Sequence, residues 1–310
     1  MPRIKISHTT EYTYHRPVRL AAHRLMLRPR DSHDLRLDDA RLSIVPPPRN
    51  MRWAHDVVGN SVCFIDWDGT VETDRLRIVS TLDLRHYPSI ADLPLDPAAE
   101  FYPFAYDVEE APDLARLQER HYPDPARVVE NWARSFLHPH GSTRTLDLLT
   151  AMTRAIKADF FYAAREEEGT RAPAVTLRTR TGACRDLALL MMEAVRSLGL
   201  AARFISGYLY DENRPGTSGG SVVGGGATHA WVAVYLPGAG WIEFDPTNGL
   251  IAGRNLIRVT AARTPGGAVP VSGTFTGGPN DFKALHVAVE TVVGDPESPG
   301  PMGALSLESA

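Results

Sequence analysis

Hydrophobic periodicity changes twice along this chain, and that change limits its fold more than any other feature. Residues 3 to 85 alternate apolar and polar positions in short runs, such as Ile4/Ile6, Tyr12/Tyr14, Leu42/Ile44, Val62/Phe64 and Leu76/Ile78, broken by Pro46-Pro47-Pro48 and Asp68-Gly69. Alternation of period two with turn residues between the runs is the signature of antiparallel strands. A helical period then takes over, and alternation returns over Ala202–Tyr210, Ala227–Leu236 and Trp241–Thr247. Strands are thus expected on either side of a helical middle section.

The reading divides the chain into a β-rich N-terminal domain (1–87), a Pro- and Ala-rich linker (88–105), a second folded unit (106–293) and a disordered Pro/Gly/Ser-rich tail (294–310). Asp124-Pro125 marks a helix start, followed by Val128, Val129, Trp132 and Phe136 on one face. A further helix begins after Ser142 or Thr143 and buries Leu146, Leu149, Met152 and Ile156. A third carries Leu187, Leu190, Met191, Ala194 and Leu198 as its buried stripe, with Gly199 as its stop. Past Gly273 one more strand is expected, over Ala284–Val292.

Charge and cysteine content exclude several classes. A net charge of −4 gives no basic footprint for nucleic acid. No apolar run approaches the roughly 20 residues of a membrane span, and the polar, alternating N-terminus does not read as a secretory leader. Two cysteines, Cys63 and Cys184, make no disulfide framework. The chain is therefore expected to be cytoplasmic and reduced, with Cys63 a buried structural thiol among hydrophobes. His138-Pro-His140 has no Cys or carboxylate beside it and reads as a loop, not a metal site. Arg214–Gly226 is glycine-rich but lacks the Lys and Ser/Thr ending of a phosphate-binding loop, so it reads as a mobile loop next to the site. Glu166-Glu-Glu168 is too short for a calcium loop. No cofactor and no metal are expected.

Cys184 opens its helix, where backbone N–H groups without intrahelical partners favour thiolate over thiol. His229 begins one strand of a hairpin and Asp245 ends the other. The three types together suit acyl chemistry: a sulfur nucleophile, an imidazole that moves the proton, and a carboxylate that orients the imidazole. Hairpin register tests the set. A two- or four-residue loop would put Asp245 opposite Val232, on the wrong face, whereas a three-residue loop over Pro237–Ala239 pairs Leu236 with Gly240 and places Asp245 opposite Trp231, on the face of His229. The three-residue loop, or an equivalent bulge, is expected.

Thr181-Gly-Ala-Cys-Arg-Asp186, Ala202-Arg-Phe-Ile-Ser-Gly-Tyr208, Thr228-His-Ala-Trp231 and Gly240-Trp-Ile-Glu-Phe-Asp-Pro-Thr-Asn248, in that order, resemble the bacterial transglutaminase-like cysteine protease family. His8-Thr-Thr-Glu-Tyr-Thr-Tyr14 resembles the β-rich region that precedes this core in the family. The resemblance covers about residues 3 to 290. It implies an α+β fold, an N-terminal antiparallel, sandwich-like domain and then a papain-like core in which a helix carrying Cys packs on an antiparallel sheet, with Cys184, His229 and Asp245 as catalytic triad. The chain departs from the family at Leu187-Ala-Leu189, where an aromatic and then a polar residue are common. Trp231, Arg185 and Tyr208 are candidates to line the site; Arg185 in a helix first turn opposes the dipole, so a specific partner is expected for it. The implied activity is hydrolysis of a peptide, isopeptide or amide bond in a peptide or protein substrate, with no nucleic acid and no membrane as partner. Protein-glutamine transglutamination and a non-catalytic binding role on the same fold stand as alternatives.

Overall fold

The computed structural model describes residues 2–87, 93–165, 167–210, 227–252, 255–278 and 280–294. The expected loop at 214–226 and tail beyond 294 lie outside these residues. Five strands open the chain: β1 (Arg3–Arg28), β2 (Leu35–Val45), β3 (Asn50–His55), β4 (Ser61–Asp66) and β5 (Glu72–His86). They pair antiparallel in the order β2-β5-β1-β4-β3. β1 is 26 residues long, and its register breaks after Thr13, so its first half pairs with β5 and its second half with β4. Such breaks bend a strand and raise its twist, and the sheet curls about β1 as a result. Between β3 and β4, Asp56 Oδ1 accepts the N–H groups of Val58 and Asn60 at 3.0 and 2.8 Å, which closes the tight turn that Gly59 permits with φ +87°. Cys63 lies fully buried beyond it, and burial pushes its thiol up to about 11.

The segment read as a linker is packed where it is described. Asp96 caps a short turn over Pro97–Ala99, and β6 (Phe101–Tyr102) pairs with β7 (Thr143–Arg144). The helices are α1 (Ala111–Gln118), α2 (Val128–Arg134), α3 (Thr145–Asp159), α4 (Pro173–Thr179) and α5 (Cys184–Ser197), with the short strands β8 (Phe161–Tyr162) and β9 (Thr181–Gly182) before α4 and α5. Asp124 caps α2 from upstream, accepting the N–H groups of Val128, Val129 and Glu130. His138 and His140 sit in the loop between α2 and α3. In α3 the buried pair is Leu148 and Leu149, with Leu146 only partly covered.

α5 is buried on every side from Asp186 to Arg196, not along one stripe. Leu189, Met192 and Val195, outside the expected face, are all fully covered because α2, α3 and α4 pack around the helix while its other side lies on the second sheet. Glu193 and Arg196 pair at 3.1 Å with no exposure of either side chain. The Glu193 carboxylate also accepts the N–H groups of His121 and Tyr122, and the Arg196 guanidinium donates to three backbone carbonyls. Buried charge is tolerable when it is hydrogen-bonded in this way.

The second sheet follows: β10 (Ala202–Leu209), β11 (His229–Leu236), β12 (Gly240–Asp245), β13 (Leu250–Ile251) and β14 (Leu256–Ala262), in the order β13-β12-β11-β10-β14. β14 has no counterpart in the sequence reading. The last two strands, β15 (Val271–Thr276) and β16 (Phe282–Gly294), both pair with β1. Both strands thus join the first sheet, although the sequence reading placed all of them but Gly294 in the second unit. Alternation marks a half-buried strand but does not say which sheet it joins.

The two sheets meet over Ile4, Ile6, Leu82, Leu84, Tyr208, Tyr210, Ile257 and Val259. Polar contacts lock this seam. His8 Nδ1 lies 2.9 Å from the Tyr208 hydroxyl, and His86 Nδ1 lies 2.9 Å from that of Tyr210. Burial raises the Tyr208 phenol, so it stays protonated and donates to a neutral His8, whose Nε2 reaches Thr10 Oγ1 at 3.0 Å. The Asn60 side chain exchanges two hydrogen bonds, of 2.8 and 2.9 Å, with the backbone of Ala261.

Candidate active site

Local sequence explains how Cys184 comes to start α5. Ala183 is extended and forms the N-cap, and the Asp186 carboxylate reaches back to accept its N–H at 3.0 Å. That is half of a capping box, the half that an alanine cap allows. Asp186 is fully buried, accepts the Arg171 N–H at 2.8 Å, and lies 3.2 Å from Arg165 Nε. A Cβ on Gly182 would stand 2.8 Å from the Asp186 Cβ, so glycine permits the close turn into the helix. Arg185 has the partners its position called for: its guanidinium donates to the carbonyls of Arg165 and Glu167. It braces the loop before α4.

The β11–β12 hairpin has the expected register, the one that puts Asp245 on the face of His229. Leu236 pairs with Gly240 and Val232 with Phe244, so the loop is Pro237–Ala239. The Ala239 N–H bonds to the Leu236 carbonyl at 3.0 Å, with Pro237 and then Gly238 at φ +83° in the two central positions. Proline followed by a glycine at positive φ is the chemistry of a type II turn. Asp245 is carried to the face of Trp231 and His229, and His229 Nε2 meets Asp245 Oδ2 at 2.8 Å with both side chains fully buried.

Asp245 is held from its other side by the turn that follows it. Asn248 Nδ2 donates to Oδ2 at 2.8 Å, and the Thr247 N–H donates to Oδ1 at 2.9 Å. Burial alone would raise this carboxyl, but His229, Asn248 and the Thr247 amide hold it below its usual value. His229 moves the opposite way. Burial disfavours the imidazolium, yet the Asp245 charge, its hydrogen bond and the neighbouring Cys184 outweigh burial and raise it to about 10. Because Nε2 is occupied by Asp245, Nδ1 is the nitrogen left for the thiol. Nδ1 is buried without a formed hydrogen bond, and Cys184, only partly covered, lies near enough to be among the groups that raise the imidazole.

Trp231 is fully buried and stacks on His229, with ring centroids 6.0 Å apart and 27° between planes. Gly207 makes room for this: a Cβ there would lie 2.7 Å from the indole and 2.1 Å from the Ile257 carbonyl oxygen. Tyr208, a candidate site residue, belongs elsewhere. Gly207 pairs with His229, and successive residues of a strand face opposite sides, so Tyr208 points away from His229 and into the seam with His8. The sequence reading also passed over Tyr162. It pairs with Gly182 across the parallel β8–β9 ladder, and burial first, then the Cys184 charge, raise its phenol.

The same organisation is found in known proteins. Residues 4–85 match the bacterial transglutaminase-like N-terminal region, and residues 130–246 match the transglutaminase-like superfamily. A transglutaminase-like core thus follows a bacterial transglutaminase-like N-terminal region along the chain. An uncharacterized protein of Mycobacterium tuberculosis is 27% identical over 94% of each chain, and one of Mycobacterium leprae is 28% identical over 94% of this chain and 98% of its own. The crystal structure of a candidate cysteine protease from Cytophaga hutchinsonii superposes with a TM-score of 0.69 at 17% identity, covering 96% of this chain and 92% of the other. At that identity the likeness speaks for the shared fold.

Proposed function

We propose that this protein is a thiol-dependent acyl-transfer enzyme, a cysteine peptidase or amidase that opens a peptide, isopeptide or amide bond through a thioester on Cys184. The observation that carries the reading is the buried His229–Asp245 pair at 2.8 Å, whose free ring nitrogen is left for a thiol at the first position of a helix. In this reading the Cys184 sulfur attacks the carbonyl carbon, and the His229 imidazolium gives its proton to the departing amine. Water then attacks the thioester while His229 takes up a proton again, and Asp245 keeps the ring oriented throughout. The Cys184 backbone N–H, at the helix start, faces the oxyanion. Two free thiols suit the reducing cytoplasm, and among the described residues no helix is long and apolar enough to cross a membrane.

Iodoacetamide at about pH 6 tests the reading, because a thiolate paired with an imidazolium reacts there and an ordinary thiol does not. Cys184 should be alkylated far faster than Cys63. Equal, slow labelling of both would remove the basis for an enzyme. Trapping the acyl-enzyme from a peptide library and adding water or an amine then distinguishes a hydrolase from a transglutaminase.

A further inference from the structure

β5 and β4 take one side of β1, and β16 and β15 take the other. Among the described residues β16 pairs with β1 alone, so the N–H and C=O groups on its outer side have no strand beside them. An open edge is a template for a further strand, and proteins blunt such edges with charge, bulges or shortness. β2 follows that rule, with Arg36, Asp38, Asp39 and Arg41 exposed and its register broken at Asp38. β3 is six residues long. β16 is blunted in none of these ways along its outer side. It runs 13 residues without proline, carries Lys283 and Glu290 as its charged side chains, and leaves Leu285 and Val292 at 43% and 46% exposure.

The sequence of this edge is complementary to itself. Two copies related by a two-fold axis perpendicular to the sheet pair antiparallel, and residues that stand opposite each other must then share a face. The whole strand is matched when the axis passes through Ala288, its middle residue. That register sets His286 opposite Glu290 on both sides of the axis, Val287 opposite Val289 and Ala284 opposite Val292, while the small Ala288 faces its own copy. His286 and Glu290 are exposed, and neither has a hydrogen bond or ion pair among the described residues. Glu11, the neighbour of His286 on β1, is already taken by Arg75 and Arg77. Moving the axis to Val287 sets His286 against Ala288 and Glu290 against Ala284. Moving it to Val289 sets Glu290 against Ala288 and His286 against Val292. Either shift leaves both polar side chains facing carbon, so the full-length register is also the one with matched cross-strand pairs.

We propose that β16 pairs antiparallel with the β16 of a second copy of this chain, with the two-fold axis at Ala288, so that one sheet runs through both subunits.

Sedimentation velocity measures the association. The wild type should sediment as a dimer at micromolar concentration. Ala288→Lys and Ala288→Glu each set like charges directly against each other at the axis, and each should sediment as a monomer with native circular dichroism. Mixed in equal amounts, the two variants should recover the dimer, because a lysine then faces a glutamate. A monomeric wild type overturns the proposal, and so do variants that dimerise as the wild type does or a mixture that stays monomeric. Should either charge unfold the strand, Ala288→Cys in a Cys184→Ala background gives the answer instead. Mild oxidation should then join chain to chain through residue 288, and failure to cross-link would equally overturn the pairing.

Discussion

Acid should loosen the seam between the two sheets, with His8 and His86 setting the pH at which it does so. Burial lowers both imidazoles to about 4; Arg258 also lowers His86, and Asp34 partly opposes it. Among the described residues, the hydrogen-bond partners of the His8 ring are Tyr208 and Thr10. In the unfolded chain each histidine titrates near 6.5. Folding therefore favours the neutral ring, so the stabilisation is whole above about pH 6.5 and is lost as pH falls through the folded value near 4. Linkage between those two values puts the loss at pH 5 at about 2 kcal/mol per histidine, about 4 kcal/mol for the pair. Against a total stability of roughly 5–15 kcal/mol, that is a large fraction. The measurement is urea unfolding followed by tryptophan fluorescence at pH 7.5 and pH 5, on the wild type and on a double variant, His8→Asn with His86→Asn. The Asn Oδ1 can accept from each tyrosine in place of Nδ1 but does not titrate. The variant should keep about 4 kcal/mol more of its neutral-pH stability at pH 5 than the wild type keeps of its own. Carboxylates and His229 are common to both proteins and cancel in that difference. Parallel losses in the two proteins would refute the reasoning.

Three further outcomes follow from the site and the seam. Asp245→Asn should lower acylation of Cys184 by roughly 10²- to 10⁴-fold while circular dichroism stays native, since the ring loses the charge that holds it protonated and oriented. Gly182→Ala should cost roughly 1–3 kcal/mol by overpacking against Asp186 and slow Cys184 alkylation at pH 6; wild-type rates would show that the turn into α5 has slack. Asn60→Ala leaves the buried N–H and carbonyl of Ala261 unpaired and should cost roughly 2 to 4 kcal/mol in urea titration.

The parts of the molecule governed by local chemistry were legible in the sequence. The placement of Asp245 beside His229 could be derived because Pro237, Gly238 and the two alternating runs specify one loop length, and loop length sets register. Arg185 could be singled out because its charge opposes the helix dipole. Long-range partnership left no such trace. The alternation of 282–294 is the same whichever sheet the strand joins, and the full burial of α5 depends on helices packed from three directions. Tyr208 stands one residue after the partner of His229, so the error lay in its face and not in its neighbourhood. Tyr162 had no signal beyond an aromatic run, because only the β8–β9 pairing brings it to Cys184.

The pairing of β1 with β16 has a consequence for synthesis. The first half of β1 finds β5 within the first 86 residues, with Arg3 opposite Arg85, but its other edge is completed only by residues 282–294, with Arg3 opposite Gly294. On the ribosome that edge of unpaired N–H and C=O groups stays open while the whole of the second sheet and its helices are made. An open strand edge is a template for pairing with other chains, and contacts this distant in sequence form slowly. β16 thus closes the edge of β1 only long after β1 is made, and a chain cut short before residue 282 would fold its site with an adhesive margin still exposed.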